Sequence, residues 1–378
     1  MHVGSPEDAF DEQLMRRALT LARRGEGHVE PNPMVGAVIA AASGNGTGES
    51  TIAEGWHAEF GGPHAEVAAV AAAGTAARGG TLAVTLEPCC HHGKTPPCTA
   101  AILAAGIARV IVGTRDPFPA VNGGGIDELV RAGIDVRVGV CEAEARRLIA
   151  PFRTLVEQKR PWLIAKWAMS LDGRVATAGG ESRWISSEAS RRIVHQLRGR
   201  MDGILCGIGT ALADDPLLTA RPAGPRQPLR IVLDSTARLP LESRVVRTSR
   251  EIPLLVATGP AAPADRLRAL EAAGCEVWQC LAASPRQRLE SLLAELGSRR
   301  LTNVLVEGGP TVLGSLTDAQ VIDEVWAFIA PTIIGGSASP LPIAGVGIAS
   351  LASAGAIEIE HTEHPGGDLF IRGVVRRG

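Results

Sequence analysis

The residues best equipped for chemistry stand in one run, Thr85-Leu86-Glu87-Pro88-Cys89-Cys90-His91-His92-Gly93-Lys94-Thr95-Pro96-Pro97-Cys98, and in a shorter piece upstream, Pro63-His64-Ala65-Glu66. The run holds three of the seven cysteines and two of the nine histidines. Two thiolates and one imidazole hold zinc tetrahedrally and leave the fourth position to water. Zinc lowers the pKa of such a water from about 16 to about 7. Glu66, two positions after His64, can reach that water without being a ligand and pass its proton to a departing ammonia. His64, Cys89 and Cys98 are therefore expected to bind Zn2+, with Glu66 as the catalytic residue of a hydrolytic deamination. The usual spacing for this chemistry is Cys-x-x-Cys, whereas eight residues separate Cys89 from Cys98. Cys90, His91 and His92 also stand close enough to compete as ligands.

The neighbouring elements are suited to hold these groups. Residues 81–86 read as a buried strand, which sets Cys89 just past a strand end. Cys98 opens a helical run through Ala105, where the helix dipole favours a thiolate. His64 and Glu66 open another helix. Ahead of them, Ser5-Pro6-Glu7-Asp8 starts a helix with Phe10, Leu14, Ala18 and Leu21 or Ala22 on one face. Two strands follow, around residues 37–40 and up to His57, joined by a Gly- and Asn-rich tip. Asn32, fixed between two prolines, offers an amide suited to the edge of a base, although a turn asparagine is the plainer account. Strands at 109–113 and 134–138 alternate with helices at 126–132 and 141–148, which predicts a three-layer α/β domain on a mixed sheet.

Lys159-Arg160-Pro161 reads as a boundary, giving expected domains at 1–150 and 161–378 with a linker at 151–160. Beyond it, strands are expected at 162–168, 203–207, 229–234, 253–257 and 303–307, and a helix capped by Ser186 or Ser187. In that helix Ile193, Leu197 and Met201 make an apolar stripe that Arg198 interrupts. The strand at 303–307 runs straight into Gly308-Gly309-Pro310 and a helix, a junction able to cradle a phosphate. No Gly-x-Gly-x-x-Gly follows a strand correctly; Gly207-Ile208-Gly209 comes nearest. Strands at 324–331, 355–360 and 368–372 close the chain, the last two as an antiparallel hairpin at a sheet edge.

Composition narrows the function class. A net charge of −2 argues against a nucleic-acid binder, and the absence of Tyr leaves few stacking platforms. No apolar run reaches membrane-spanning length, and the first residues lack the basic start and apolar core of a signal peptide. An odd cysteine count, with three at or beside a metal, suits a reducing compartment, so a cytoplasmic location is expected.

The run from Thr85 to Cys98 resembles the signature of the bifunctional riboflavin-biosynthesis deaminase/reductase family, whose long cysteine spacing it shares. The second half is similar too, at Ser170-Leu171-Asp172-Gly173-Arg174, Gly180-Glu181-Ser182-Arg183-Trp184-Ile185, Ala213-Asp214-Asp215-Pro216-Leu217-Leu218-Thr219 and Val306-Glu307-Gly308-Gly309-Pro310-Thr311. The resemblance implies a cytidine-deaminase-like three-layer α/β/α domain followed by a dihydrofolate-reductase-like α/β domain. It implies deamination of a diaminopyrimidinone ribosylamine 5′-phosphate, then reduction of the ribosyl group to ribityl with NADPH. Asn32, His57 and Lys94 would meet the pyrimidine and its phosphate. NADPH would lie against Ala168, Trp184, Thr210, Asp214, Ser235 and the turn Gly309, Pro310, Thr311, Val312, Leu313, Gly314 and Ser315. Ser182, Arg198, Leu218, Arg221 and Glu307 would hold the sugar phosphate, two arginines suiting a dianion. Asp172 and Glu307 are the candidates for a general acid. Cys90 stands where the family often has Ser, and Phe118 where it usually has Asn. Partners are expected to be phosphorylated pyrimidines, with no nucleic acid or membrane, in a homo-oligomer, most simply a dimer. The alternative is a monofunctional nucleoside or base deaminase carrying a nucleotide-binding regulatory domain.

Overall fold

The computed structural model describes residues 5–41, 50–91, 96–119 and 121–376. The chain divides after Lys159 into two compact units. In the first, helix α1 (Pro6–Ala22) begins with a capping box: the Ser5 hydroxyl accepts from the Asp8 N–H, and the Asp8 carboxylate accepts from the Ser5 N–H. Strands β1 (Gly36–Ala40) and β2 (Thr51–Trp56) form a hairpin. Then come α2 (Ala65–Ala73), β3 (Thr81–Leu86), α3 (Cys98–Ala105), β4 (Arg109–Thr114), α4 (Gly124–Arg131), β5 (Asp135–Val138), α5 (Glu142–Leu148) and α6 (Ala150–Gln158). The stretch expected as a linker is thus mostly helix, with Thr154 buried on it.

The sheet order is β2-β1-β3-β4-β5; β1 runs antiparallel to both neighbours, and β3, β4 and β5 are parallel. Side chains alternate across a strand with period two, and the two cores follow that rule. Ala37, Ile39, Leu82, Val84, Val110 and Val112 pack with α2, α3 and α4, whereas Val38, Ala40, Ala83 and Ile111 pack with α1 and α5. Three layers result. Gly36 lets α1 close onto β1, since a Cβ there would lie 2.1 Å from the Ala18 carbonyl oxygen.

The second unit contains β6 (Trp162–Ser170), α7 (Glu188–Arg198), β7 (Gly203–Gly207), α8 (Ile208–Asp214), β8 (Leu229–Leu233), α9 (Arg244–Arg247), β9 (Leu254–Thr258), α10 (Ala264–Ala272), β10 (Glu276–Gln279), α11 (Pro285–Ser298), β11 (Asn303–Val306), α12 (Pro310–Asp318), β12 (Glu324–Ala330), β13 (Ala356–Glu363) and β14 (Leu369–Arg376). Its sheet runs β10-β9-β8-β7-β11-β6-β12-β14-β13. The strands from β10 to β12 are parallel, and β14 and β13 add the antiparallel edge that the sequence suggests. Helices α11 and α12 cover one face through Leu289, Leu292, Leu293, Leu296, Leu313 and Leu316. Helix α7 ends at Arg198, and its buried apolar positions are Val194 and Leu197 rather than a stripe through Ile193. Among the described residues no helix is long and apolar enough to cross a membrane.

Candidate active sites

In the first unit the strand end, the two helix starts and the loop before α4 converge. Among the described residues, His64, Cys89 and Cys98 form a group whose donor atoms all lie within 4.8 Å of one another. His64 Nδ1 is 3.1 Å from Cys98 Sγ and 3.6 Å from Cys89 Sγ. The Cys98 N–H, at the start of α3, donates to Cys89 Sγ at 3.4 Å. Cys89 is held well below the usual thiol range by the hydrogen bond from the Cys98 thiol, against the effect of burial and with help from His64. Cys98, the proton holder of the pair, is pushed up. Two sulfurs and an imidazole at this spacing are a donor set that fits zinc. Cys90 and His91 do not join the group: Cys90 Sγ lies against Gly124, and the His91 ring faces Phe118 at 6.2 Å. His92 and Lys94 fall outside the described residues.

Glu66 sits in the first turn of α2, 3% exposed, and burial pushes its carboxyl up to about 7. Asn32 and His57 come together, with Asn32 Nδ2 3.2 Å from His57 Nε2. His57 Nδ1 is 3.0 Å from the Pro63 carbonyl oxygen, which can only accept, so the proton of this imidazole is on Nδ1. Nε2 therefore accepts from the Asn32 amide, which turns the Asn32 carbonyl oxygen away from His57. Burial lowers the His57 pKa and keeps the ring neutral. The His57 and His64 rings meet edge to face at 5.6 Å, so this pair borders the metal group.

Glu87 was given no role by the sequence. It is buried at the end of β3, and its carboxylate accepts four backbone N–H groups: Asp116 and Gly123 on one oxygen, Gly125 and Ile126 on the other, at 3.0–3.3 Å. It ties the segment carrying Asp116 and Phe118 to the strand that leads to Cys89. Burial raises Asp116 to about 6, against the hydrogen bond its carboxylate accepts from the Phe118 N–H. A glutamate directly after a buried apolar strand was the available signal.

In the second unit Arg198 and Glu307 form a bidentate pair, Nε to Oε1 at 2.5 Å and Nη2 to Oε2 at 2.7 Å, with Nη1 donating to the Thr219 carbonyl at 3.1 Å. Burial would raise the Glu307 carboxyl, but the Arg198 charge and hydrogen bonds, with Lys166, hold it down to about 2. The guanidinium that seemed free for a phosphate is thus already paired. Arg221 is the less committed arginine, its Nη2 3.5 Å from His195 Nε2. Leu218 is buried, in a left-handed conformation (φ 53°). Lys166 also escaped the sequence reading. The parallel register that pairs Val306 with Ala165 sets the next residues, Glu307 and Lys166, side by side; a lone lysine in an apolar strand was the signal. Asp172 does not suit a general acid. Ser170 Oγ and the Ile334 and Gly335 N–H groups donate to its carboxylate and hold it near 2.

Gly309 caps α12 and no side chain caps that helix; Pro310 has no N–H and the Val312 N–H donates to the Gly309 carbonyl at 3.1 Å, so the first turn offers an anion the Thr311 N–H. A Cβ on Gly308 would meet Val312 at 2.8 Å and one on Gly309 would meet Thr210 Oγ1 at 3.0 Å, so the junction admits backbone alone. Of the residues expected to line it, Leu313 belongs to the core, Gly314 packs on Ala344 and Ser315 Oγ donates to the Thr311 carbonyl. Ser182 Oγ donates to Asp214 at 3.3 Å; Ser235 is exposed past β8, and Ala168 is half-buried on β6. Trp184 is 69% exposed, with the Arg191 guanidinium 4.4 Å from its ring centre. The tight glycine turn and the Thr311 N–H at the helix start fit a phosphate group of a dinucleotide.

Residues 8–114 match the cytidine and deoxycytidylate deaminase zinc-binding region, and residues 161–370 match the RibD C-terminal domain. The chain is 38% identical to riboflavin biosynthesis protein RibD of Actinobacillus pleuropneumoniae, covering 98% of each. It is 39% identical to that of Escherichia coli, covering 96% of this chain and 98% of the relative. This chain belongs to the RibD family. Among solved structures, Acinetobacter baumannii RibD superposes with a TM-score of 0.83 at 32% identity, covering 98% of this chain and all of the other. A Thermotoga maritima diaminohydroxyphosphoribosylaminopyrimidine deaminase/5-amino-6-(5-phosphoribosylamino)uracil reductase does so at 0.81 and 35%, with the same coverage. Both fold expectations hold for this RibD-family chain: a cytidine-deaminase-like first unit and a dihydrofolate-reductase-like second.

Proposed function

We infer that this chain catalyses two consecutive steps of riboflavin biosynthesis. The first is hydrolytic deamination of 2,5-diamino-6-ribosylamino-4(3H)-pyrimidinone 5′-phosphate, and the second is reduction of the ribosyl side chain to ribityl. The observation that carries the reading is the S, S, N donor group of His64, Cys89 and Cys98 beside a buried Glu66, in a chain that spans nearly the full length of its RibD relatives. A lone deaminase with a regulatory appendage is disfavoured, because residues 161–370 match the RibD C-terminal domain.

When bound, zinc supplies Lewis-acid activation of water and NADPH supplies a hydride. His64, Cys89 and Cys98 would hold the zinc. Glu66 would take a proton from the water that adds to C2 of the pyrimidine, then deliver it to the amine as the C2–N bond breaks and ammonia leaves. A carboxyl raised to about 7 by burial both accepts and returns a proton near neutral pH. His57, neutral and donating to Pro63, fixes the Asn32 amide so that its carbonyl oxygen is an acceptor for a ring N–H or amino group. In the second unit the first turn of α12 would take the coenzyme pyrophosphate. Arg221 and the backbone near Leu218 would position the sugar phosphate, and the Arg198–Glu307 pair would fix the floor beside Lys166. Reduction places hydride on C1′ as the C1′–O4′ bond breaks and the oxygen takes a proton.

The test is to incubate the purified zinc-loaded protein with the diaminopyrimidinone substrate and NADPH, following ammonia and NADPH absorbance together. Ammonia release followed by NADPH consumption is expected. Ammonia alone would leave only a deaminase, and neither signal would overturn the reading.

A further inference from the structure

The largest fully buried side chain among the described residues is a cation, Arg230 on β8, 0% exposed. Its neighbour Ile231 turns to the core under α11 and α12, so Arg230 turns to the opposite face of the sheet. Burying a charge is costly unless it is paired, yet Arg230 makes no ion pair among the described residues. Every group it donates to is neutral. Nη1 reaches Thr248 Oγ1 at 2.7 Å and the Leu217 carbonyl at 3.4 Å, Nη2 the Ile252 carbonyl at 2.5 Å, and Nε the Pro253 carbonyl at 3.5 Å. Burial pulls its pKa down to about 10, which leaves the guanidinium charged at neutral pH.

The loop from Leu217 to Arg221 is held by this charge and by one other. Arg230 holds the Leu217 carbonyl, and Arg198, itself bound to Glu307, holds the Thr219 carbonyl at 3.1 Å. The peptide bonds that follow these two carbonyls are trans, and in a trans peptide the N–H points opposite to the C=O. The N–H groups of Leu218 and Ala220 therefore point away from the guanidiniums that hold the loop. Neither donates to any group among the described residues. That is unusual for Leu218, which is 2% exposed, since buried backbone N–H groups are nearly always paired. A leucine keeps a φ of 53° only where its surroundings impose it, and left-handed residues in loops help to build backbone cradles for anions. Arg221, exposed at the end of the loop, lies within the fields of two further cations, Arg198 and Arg244.

We propose that Arg230 is a positioning residue of the reductase unit: by holding the Leu217 carbonyl it presents the Leu218 N–H to the 5′-phosphate of the pyrimidine, and its unpaired charge attracts that dianion. The proposal rests on the reading that Arg221 and the backbone near Leu218 take the sugar phosphate. The counter-charge that Arg230 lacks within the chain then arrives with the substrate. A buried charge is weakly screened, so its attraction carries across the single peptide unit between them.

The test compares the deaminated intermediate with its dephosphorylated form, in the full zinc-loaded chain, by NADPH consumption and by the inhibition constant of ribose 5-phosphate. Arg230→Met keeps an unbranched side chain and removes the charge and the donors. It should lower kcat/KM for the phosphorylated substrate by roughly 10- to 100-fold, chiefly through KM, the worth of a hydrogen bond to a charged group. Ribose 5-phosphate should weaken by the same factor. The dephosphorylated substrate and the KM for NADPH should stay within about threefold, because neither draws on the phosphate cradle. Arg230→Lys keeps a charge without the paired donors and should show a smaller phosphate-selective loss, roughly 3- to 10-fold; it decides the matter if Arg230→Met does not fold. Equal losses with and without the phosphate would make Arg230 merely structural, and no loss with either would leave it without a role at the loop; each overturns the proposal. A wild type indifferent to the 5′-phosphate would overturn the placing of the phosphate, and one that consumed no NADPH would overturn the reductase reading, and the proposal with it in both cases.

Discussion

Arg198→Ala removes one half of a pair whose two side chains are only 14% and 11% exposed and which closes at 2.5 Å. Deleting one partner of a buried ion pair costs roughly 3–5 kcal/mol, because the other charge stays buried without compensation. The acid side leads to the same range. The Glu307 carboxyl lies at about 2 against 4.5 for a free one, which at 1.36 kcal/mol per pKa unit is about 3 kcal/mol. A loss of that size should lower the melting temperature of the second unit by roughly 6–12 °C. Five of the six tryptophans, at positions 162, 167, 184, 278 and 326, lie in that unit, so their emission follows its unfolding. The pH dependence has a defined sign. A carboxyl whose folded pKa is depressed contributes stability above its unfolded value near 4.5 and loses it as pH falls through the folded value near 2. The gap between wild type and variant is therefore widest at neutral pH and closes on acidification. Arg198→Met combined with Glu307→Leu should regain most of the loss, since an apolar pair leaves no buried charge. A gap under 1 kcal/mol at pH 7, or one unchanged down to pH 3, would refute the reasoning.

Three further outcomes are expected. Glu66→Gln should retain zinc by metal analysis and lose ammonia release by about 10²- to 10⁴-fold, the usual worth of a positioned acid–base group; near-normal release would remove Glu66 from the proton path. Chelation should abolish ammonia release while the zinc-free chain still consumes NADPH with the deaminated intermediate, because the donor group lies wholly in the first unit; loss of both activities would make the metal structural. Glu87→Gln replaces one carboxylate oxygen by a donor and so leaves two of four backbone N–H groups unpaired. That should cost about 2–4 kcal/mol of first-unit stability and raise KM for deamination more than it lowers kcat. A chain with wild-type stability and KM would show that the segment from Asp116 to Ile126 is held by other contacts.

Much of the site could be read before any coordinates. Strand β3 and the openings of α2 and α3 stand where the residue pattern puts them, because period-two apolar runs and proline-led helix starts are local signals. Strand β10 was missed, since Glu276-Val277-Trp278-Gln279 is short, half-exposed and on the sheet edge. The stripe through Ile193 and Met201 failed because α7 stops at Arg198 and Gly199, so Met201 is not on the helix.

The sequence by itself determined the metal chemistry. Few residue types bind zinc or move its proton, and His64, Glu66, Cys89 and Cys98 carry that limit in their identities. Only the tertiary structure decided what the charged residues do. Arg198 interrupts an apolar stripe in the sequence, and only the fold shows Glu307 paired with it across 109 positions of chain. Glu87 is one acid among forty acidic residues until two loops turn four N–H groups onto it. A charge is defined by what surrounds it, and those surroundings come from strand register and loop closure, which no local spacing records.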